Sequence, residues 1–190
     1  MMRIITGSAR GTHLYTLAGD ATRPTSERAK EALFSMLGDK PRGARVLDLF
    51  AGSGQLGLEA LSRGAARAVF LDGAREAVDV LRRNAEKTHL SDRAEIRMGD
   101  ALSFLKSYRG EPFDLIFLDP PYAAGLLPGC LALLCERRML SERAVIVAES
   151  GAPQDVFGSD EQLAAQFEIQ KQNRYGAAFL TVLVPQKEQI

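Results

Sequence analysis

The sequence predicts an α/β protein with a doubly wound, mostly parallel sheet of seven strands, helices on both faces and an antiparallel hairpin at its C-terminal end. In the middle of the chain, short apolar segments alternate with segments in which apolar residues recur at helical spacing. The short segments are apolar along most of their length, as expected of strands that helices cover on both faces. Two later β-rich stretches are separated by little more than Gly176, which predicts a hairpin at one edge of the sheet.

The composition is that of an ordinary globular protein, and we expect residues 1–190 to form a single domain. Hydrophobic residues make up 46% of the chain, charged residues 25%, and no apolar run approaches the roughly 20 residues that cross a bilayer. The start, Met1-Met2-Arg3, does not resemble a signal peptide. Cys130 and Cys135 have the spacing of neither a zinc pair nor a redox pair, so we expect core cysteines, a reducing cytoplasm and no metal site.

Two pieces precede the sheet. Residues 1–21 contain two short strand-like runs around a turn of Gly and Arg, which predicts a small β-hairpin. Residues 22–40 predict a lead-in helix, in which Thr25 caps the N-terminus and Glu27 favours the positive end of the helix dipole. The apolar face of this helix has the spacing i, i+3, i+4, i+7 and i+8: Ala29, Ala32, Leu33, Met36 and Leu37.

The strands and helices of the sheet then follow in alternation. The five predicted parallel strands are residues 44–50, 66–72, 94–100, 113–119 and 143–150. The predicted helices between them are "QLGLEALSRG", "REAVDVLRRNAEK", "ALSFLKSY" and "LLPGCLALLCERR", and the final hairpin is "QFEIQKQNRYG" with "AAFLTVLVP".

Four successive predicted strands each end at or near an aspartate: Asp48, Asp72, Asp100 and Asp119. The carboxyl ends of parallel strands share one edge of an open sheet, and ligands bind in the crevice outside that edge. A half-buried carboxylate needs hydrogen-bond donors around it. Any one of these acids could simply cap a helix, but the four together indicate a ligand rich in hydroxyl and amino groups.

A glycine-rich turn follows the first of these strands. The stretch "GSGQLG", residues 52–57, matches the pattern G-x-G-x-x-G between a strand and a helix. Asp72 lies twenty residues beyond Gly52, the usual distance for an acid that binds ribose hydroxyls. The pattern suits any cofactor that contains a nucleoside, so an NAD-dependent oxidoreductase is one interpretation.

The stretch "FLDPPY" at the end of the fourth strand favours a different chemistry. Pro120 and Pro121 have no N–H and a fixed φ, so the strand stops there in a rigid turn. The Asp119 carboxylate and the Pro120 carbonyl can accept hydrogen bonds from a planar exocyclic amine, which turns its lone pair toward an electrophilic methyl group. Tyr122 offers a ring on which an unstacked base can lie. We therefore favour a methyltransferase that acts on a nucleobase amine over an enzyme of hydride transfer.

At these residues the chain resembles the class I S-adenosylmethionine-dependent methyltransferases, which have a Rossmann-like fold, and more narrowly the bacterial RsmD family. The resemblance covers nearly the whole chain and rests on "RIITGSARG", "TRPTSERAKEALFSML", "LDLFAGSGQLGLEALSRGA", "GDALSFL", "FLDPPY" and "RYG". The DPPY motif alone is shared with adenine-specific DNA enzymes. The early "RPT…R…E.LF" block joined to "DLFAGSG" is much more specific.

The resemblance implies methyl transfer from S-adenosylmethionine to the exocyclic 2-amino group of a guanine in 16S ribosomal RNA, of the guanine(966)-N(2) type. Methylation of an adenine amine of DNA or RNA is the alternative, and a non-catalytic RNA-binding protein is a third interpretation. The implied partner is 16S rRNA within a small ribosomal subunit or an assembly intermediate, and we expect a cytoplasmic monomer without a metal.

The resemblance also implies a role for each matching residue. The catalytic residues would be Asp119, Pro120, Pro121 and Tyr122. The cofactor would be bound by Gly52, Ser53 and Gly54, by Asp48 near its methionine end, by Asp72 at the ribose, and by Asp100 and Ala101 at the adenine. Arg23, Pro24 and Thr25 would stand at the mouth between cofactor and base.

The charge distribution bears on RNA binding. Residues 1–45 hold eight Lys or Arg against four Asp or Glu, a net charge of +4 on a chain whose formal charge is +0. Charge alone does not distinguish a nucleic-acid contact from a solvated face. With the family resemblance, Arg3, Arg10 and Arg23 are expected to bind RNA phosphates without reading sequence.

Overall fold

The computed structural model describes residues 2–17 and 27–186, so the roles predicted for Arg23, Pro24 and Thr25 lie outside the described residues. The chain divides into two compact units, residues 1–100 and 101–190. Within the described ranges, no helix is both long enough and apolar enough to span a bilayer.

The described residues of the first unit form three parallel strands and three α-helices. They are α1 (Glu27–Leu37), β1 (Arg45–Asp48), α2 (Gln55–Ser62), β2 (Arg67–Asp72), α3 (Arg75–Lys87) and β3 (Ala94–Met98). The strands pair in the order β3-β2-β1, with Asp48 opposite Phe70 and Asp72 opposite Met98. α2 contacts β1 and β2, and α3 contacts β2 and β3. Because helices cover them, β1 and β2 are buried along most of their length.

The second unit contains the remaining four strands. Its elements are α4 (Ala101–Ser107), β4 (Phe113–Leu118), α5 (Leu127–Glu136), β5 (Leu140–Ser150), α6 (Glu161–Ala164), β6 (Phe167–Tyr175) and β7 (Ala178–Pro185). β4 pairs in parallel with β5, and β7 pairs antiparallel with both β5 and β6. The predicted seven-stranded, mostly parallel sheet with a C-terminal antiparallel hairpin is confirmed.

The structure differs from the prediction at β5 and α6. β5 begins at Leu140 rather than at residue 143, and its pairing with β4 shifts register between Phe113 and Leu115. Asp114 lies in this irregularity and accepts hydrogen bonds from the Ser141 hydroxyl at 2.8 Å and from Arg143 Nε at 2.8 Å. The short helix α6 was not predicted. Four residues give too little periodicity to detect, although Asp160 caps it in the usual way.

The predicted N-terminal hairpin is present in a short form, with one antiparallel bridge between Arg3 and His13 and with the N–H groups of Ile4 and Leu14 donating to the Thr12 and Met2 carbonyls of the opposite arm. Other backbone N–H groups of residues 2–17, here called the N-terminal segment, bond to α2. Those of Ile5 and Thr6 donate to the Glu59 carboxylate, that of Ser8 to the Ser62 carbonyl and that of Ala9 to Ser62 Oγ. The N-terminal segment approaches α2 so closely that position 7 must be glycine, because a Cβ there would lie 1.8 Å from the Ser62 carbonyl oxygen.

Glu59 is the centre of this contact. Its side chain is fully buried, accepts a hydrogen bond from Arg63 Nε at 2.8 Å and lies 3.5 Å from Lys30 Nζ. Lys30 of α1 is also buried and donates to the Arg3 carbonyl at 2.6 Å. Burial lowers the pKa of Lys30, and the neighbouring Glu59 charge opposes that shift. A single carboxylate therefore holds both the N-terminal segment and α1 against α2.

We predict that Glu59→Gln lowers the free energy of unfolding by about 3–5 kcal/mol, because the buried ammonium of Lys30 loses its counter-charge. Urea unfolding followed by circular dichroism measures the change. Adding Lys30→Met to the variant should restore part of the loss, since no uncompensated charge then remains. Glu31→Gln, on the exposed side of α1, is the matched control and should change stability little. Equal urea midpoints for Glu59→Gln and the natural protein would show that the buried pair of Lys30 and Glu59 does not contribute to the free energy of unfolding.

Candidate active site

The four predicted acids all lie at strand ends. In the first unit, Asp48 and Asp72 are the last residues of β1 and β2, and Asp100 follows β3 by two residues. The parallel register of these strands brings the three ends to one edge of the sheet. In the second unit, Asp119 directly follows β4.

Asp72 closes the glycine-rich turn. Its Oδ2 accepts a hydrogen bond from the Gly52 N–H at 2.8 Å, and its Oδ1 accepts one from the Ala74 N–H at 2.9 Å. Each carboxylate oxygen can accept more than one hydrogen bond, so these contacts leave capacity for ligand hydroxyls. Asp72 is only half-buried, and the edge of the sheet therefore presents a fixed carboxylate beside a tight turn.

The three glycines of the turn are needed for different reasons. Gly52 has a φ of +54°, and a Cβ at this position would meet nothing within 4 Å, so its backbone is open to a ligand. At Gly54, with a φ of +83°, a Cβ would lie 2.1 Å from the Leu81 side chain. At Gly57 it would lie 2.2 Å from the ring of Phe70. Gly54 and Gly57 therefore permit packing within the fold, and Gly52 permits approach from outside.

Asp48 lies beneath the turn and is 3% exposed. Its Oδ2 accepts a hydrogen bond from the Gly57 N–H at 3.0 Å. Burial raises the pKa of Asp48 to about 7, with the Asp72 charge acting in the same direction and the Gly57 hydrogen bond acting against it. Its ionised form is therefore much less favoured near neutral pH than that of an ordinary aspartate, and a nearby cation would favour it.

Ser53 is held by residues that the sequence analysis did not identify. Its hydroxyl donates to Met2 Sδ at 3.3 Å, and its carbonyl accepts from Asn84 Nδ2 at 2.8 Å. Asn84 is fully buried on α3. It occupies a position on the apolar face of that helix, and a polar residue in an apolar stripe is the signal that could have identified it.

The last predicted cofactor residues of this edge are adjacent in the chain. Asp100 is exposed, and the preceding Gly99 N–H donates to the Asp72 carbonyl at 3.0 Å. Ala101 is buried and is the first residue of α4.

The Asp-Pro-Pro-Tyr turn ends β4 as predicted. Asp119 is half-buried, Pro120 is buried and Pro121 is exposed. Residues 122–124 form a single 3₁₀ turn, in which the Ala124 N–H donates to the Pro121 carbonyl at 3.0 Å. The turn is stiff because both prolines fix φ and the next residues are hydrogen-bonded back to it.

A cavity lies against this turn within the second unit. Its lining includes both prolines, Glu149 and Ser150 at the end of β5, and Asp155. Leu118 pairs with Ala148 of β5, so Asp119 and Glu149 each follow a paired residue by one position. The Glu149 side chain is 8% exposed. At about 20 Å³ the cavity has room for about one water molecule, so it places polar groups beside the turn and is not itself a pocket for a base.

The predicted phosphate contacts differ in their surroundings. Arg3 is exposed and lies 3.3 Å from a Glu27 carboxylate oxygen, whereas Arg10 is exposed in the turn of the N-terminal segment. Among the residues that the structure describes, no group of three His, Cys, Asp or Glu side chains is placed to hold a metal ion.

Comparison with known proteins bears on the whole chain. The family model described as Conserved hypothetical protein 95 matches residues 2–184. Ribosomal RNA small subunit methyltransferase D of Haemophilus influenzae is 40% identical over 151 residues, which cover 78% of this chain and 78% of that protein. The protein of the same name from Escherichia coli K12 is 40% identical over 149 residues, which cover 78% of this chain and 74% of that protein.

A solved structure agrees with the sequence relatives. The E. coli protein yhhF superposes with a TM-score of 0.85 and 33% identity over 98% of both chains. The fold is thus that of the class I Rossmann-like methyltransferases, and the predicted enzyme class, an RNA methyltransferase, is confirmed over the oxidoreductase and the non-catalytic alternatives. With a family model over nearly its whole length and relatives at 40% identity, this protein belongs to the RsmD family of ribosomal RNA methyltransferases.

Proposed function

We propose that the protein transfers a methyl group from S-adenosylmethionine to the exocyclic 2-amino group of a guanine in 16S ribosomal RNA. The observation that carries this proposal is the rigid Asp119-Pro120-Pro121-Tyr122 turn directly after the buried strand β4. The names of the relatives support a small-subunit rRNA substrate. The choice of guanine follows the family resemblance.

The residues of the first unit suit the proposed cofactor. S-adenosylmethionine supplies a methyl group made electrophilic by a sulfonium charge. Gly52 is open to a close approach, and Asp48, whose pKa burial raises to about 7, would be stabilised as a carboxylate by the cationic methionine end. Asp72 would accept from the ribose hydroxyls. Ser53 and Gly54 would complete the turn around the cofactor.

The remaining cofactor contacts are proposed from matching motifs. Asp100 and Ala101 would lie at the adenine, with the acid accepting from its amine. Arg23 and Thr25 would stand between the cofactor and the target base.

The Asp-Pro-Pro-Tyr turn would prepare the amine. The lone pair of an exocyclic amine is delocalised into the purine ring, so the nitrogen is a poor nucleophile. Hydrogen bonds from the amine to the Asp119 carboxylate and the Pro120 carbonyl would fix its position and pull the nitrogen toward tetrahedral geometry. As the new N–C bond forms, the bond between the methyl carbon and the sulfonium sulfur would break, the electron pair would stay on sulfur as a neutral thioether, and the proton released from nitrogen would pass to Asp119 or to water. Tyr122 would stack on the base, which must leave its own stack to enter.

Exposed cations of the N-terminal region would hold the RNA backbone. Arg10 is exposed, and Arg3 would exchange its ion pair with Glu27 for a phosphate. Arg23 would add a third contact. We propose that the enzyme works as a monomer in the cytoplasm, on 16S rRNA within a small subunit or an assembly intermediate.

We predict that Asp119→Asn lowers methyl transfer by at least about a hundredfold, because the amide cannot hold the amine or take its proton as the carboxylate does. S-adenosylmethionine affinity should stay within about twofold of the natural protein. The assay uses small subunits from cells that lack the gene, with mass spectrometry of the nucleosides, which separates 2-methylguanosine from N6-methyladenosine.

Asp114→Asn, near the other end of β4, is the matched control for this variant and should retain activity. Normal turnover by Asp119→Asn would remove Asp119 from the mechanism. N6-methyladenosine as the product would overturn the guanine assignment and leave the methyltransferase assignment intact.

We predict that S-adenosylmethionine affinity falls as pH drops below about 7, since protonation of Asp48 removes the charge that the cationic ligand favours. The fall approaches about tenfold per pH unit. Calorimetric titration of cofactor between neutral and acidic pH measures it. Asp48→Asn should bind more weakly at neutral pH and lack this part of the pH dependence, and parallel profiles for the two proteins would contradict the assignment.

The same proton affects the unliganded protein. Folded Asp48 has a pKa of about 7 against an ordinary 3.8, so the folded state binds more protons than the unfolded state between these values. The free energy of unfolding should therefore fall as pH rises from about 4 to about 7, by an amount that Asp48→Asn removes. Urea unfolding across this window provides a readout that does not depend on cofactor.

A further inference from the structure

A basic and aromatic patch lies on the first unit outside the residues assigned above. Tyr15 of the N-terminal segment is 40% exposed, one of the few large hydrophobic side chains exposed in the described ranges. Two cations of α3 lie over its ring: Arg83 Cζ is 4.1 Å and Lys87 Nζ is 4.3 Å from the ring centroid. We call Tyr15, Arg83 and Lys87 the Tyr15 patch.

The two cations of the patch repel each other. They are four residues apart on a helix, and like charges at this spacing destabilise a helix by roughly 0.2–0.5 kcal/mol. In the part of the chain that the structure describes, no carboxylate forms an ion pair with either. By contrast, Arg75 and Arg82 of the same helix lie 3.9 Å and 3.4 Å from Asp79 oxygens. The patch is therefore a concentration of positive charge that an external anion would relieve.

The backbone of Tyr15 is held in place by Asn84. The Tyr15 N–H donates to Asn84 Oδ1 at 2.7 Å, and Asn84 Nδ2 donates to the Tyr15 carbonyl at 3.0 Å. Asn84 Nδ2 also donates to the Ser53 carbonyl in the glycine-rich turn at 2.8 Å. One buried amide thus joins the backbone under the patch to the turn proposed to bind cofactor. A platform fixed in this way loses little conformational entropy when a ligand binds.

We propose that the Tyr15 patch is an RNA-binding surface of the enzyme, where Arg83 and Lys87 move from the Tyr15 ring to backbone phosphates and the ring face that they leave stacks on an unpaired base. The inference rests on the proposed rRNA substrate and adds residues that the motifs do not indicate. Cations with an exposed aromatic ring match the two parts of a single-stranded nucleotide, its phosphate and its base face. An acidic protein would use the cations alone and gain nothing specific from the ring.

The test compares two double variants that remove the same charge from the same helix, Arg83→Ala/Lys87→Ala and Arg75→Ala/Arg82→Ala. The probe is a 16S rRNA transcript, titrated by fluorescence anisotropy over a range of salt concentrations. Loss of two phosphate contacts should reduce the slope of log K against log salt by about 1.4, since each contact contributes roughly 0.7 for single strands. The Arg75/Arg82 variant should keep the slope of the natural protein.

The role of the ring is tested separately. Tyr15→Ala should weaken RNA binding by about five- to hundredfold without changing the salt slope, because base stacking is sequence-tolerant and uncharged. Tyr15→Phe keeps the ring and should bind almost as the natural protein does. S-adenosylmethionine affinity and melting temperature should change little in the Arg83/Lys87 variant, because it removes a repulsive pair together with two exposed cation–π contacts, so a folding defect would be recognised.

Two results would overturn the proposal. One is an equal salt slope for the Arg83/Lys87 and Arg75/Arg82 variants. The other is an Arg83/Lys87 variant that binds the naked transcript normally but binds intact small subunits weakly, because that result would identify a ribosomal protein as the partner of the patch. If the variants bind RNA as predicted but the natural protein transfers no methyl group to rRNA, the proposed function is wrong and the RNA-binding surface is still supported.

Discussion

The buried carboxylate of Glu59 is the interaction on which the arrangement of the first unit depends. It accepts hydrogen bonds from two backbone N–H groups of the N-terminal segment and from the guanidinium of Arg63, which directly follows α2, and it lies beside the ammonium of Lys30 from α1. Removing a carboxylate from water costs several kcal/mol, and only surrounding donors offset that cost. Because the donors come from three parts of the chain, the carboxylate is fully satisfied only when all three meet at α2. Its main effect is thus to select one arrangement of these parts.

The same helix connects this arrangement to the glycine-rich turn. α2 begins directly after the turn, and the N–H of Gly57 in its first turn bonds to Asp48. Asp48 is buried where its ionised form is disfavoured, which costs stability in the unliganded protein at neutral pH. Such a loss of stability is typical of functional sites, which often contain residues that suit a ligand better than they suit the unliganded fold. A cationic cofactor is the kind of ligand that would relieve it.

The N-terminal segment connects the two proposed activities of the first unit. Met2 accepts a hydrogen bond from Ser53 in the turn, and Asn84 joins the Ser53 carbonyl to the backbone of Tyr15. Cofactor binding at the turn and RNA binding at the Tyr15 patch would therefore act on one hydrogen-bonded group of residues. Coupling between two ligands requires a shared element of this kind, whose position both of them bias.

The sequence by itself determined the order of strands and helices and the position of Asp48, Asp72, Asp100 and Asp119 at strand ends, because hydrophobic period, glycine and proline act locally. It also indicated the glycine turn and the Asp-Pro-Pro-Tyr turn, because the geometry of a turn depends on the φ preferences of adjacent residues. Only the tertiary structure decided that Lys30, Glu59 and Asn84 are buried and that residues 2–17 bond to α2. In sequence Lys30 and Glu59 look like ordinary polar residues of helix surfaces, and Asn84 is marked only by its place in an apolar stripe. Their partners lie between 27 and 69 positions away along the chain, at Arg3, Ile5, Thr6, Ser53 and Tyr15, and no local pattern records contacts made by folding over such distances.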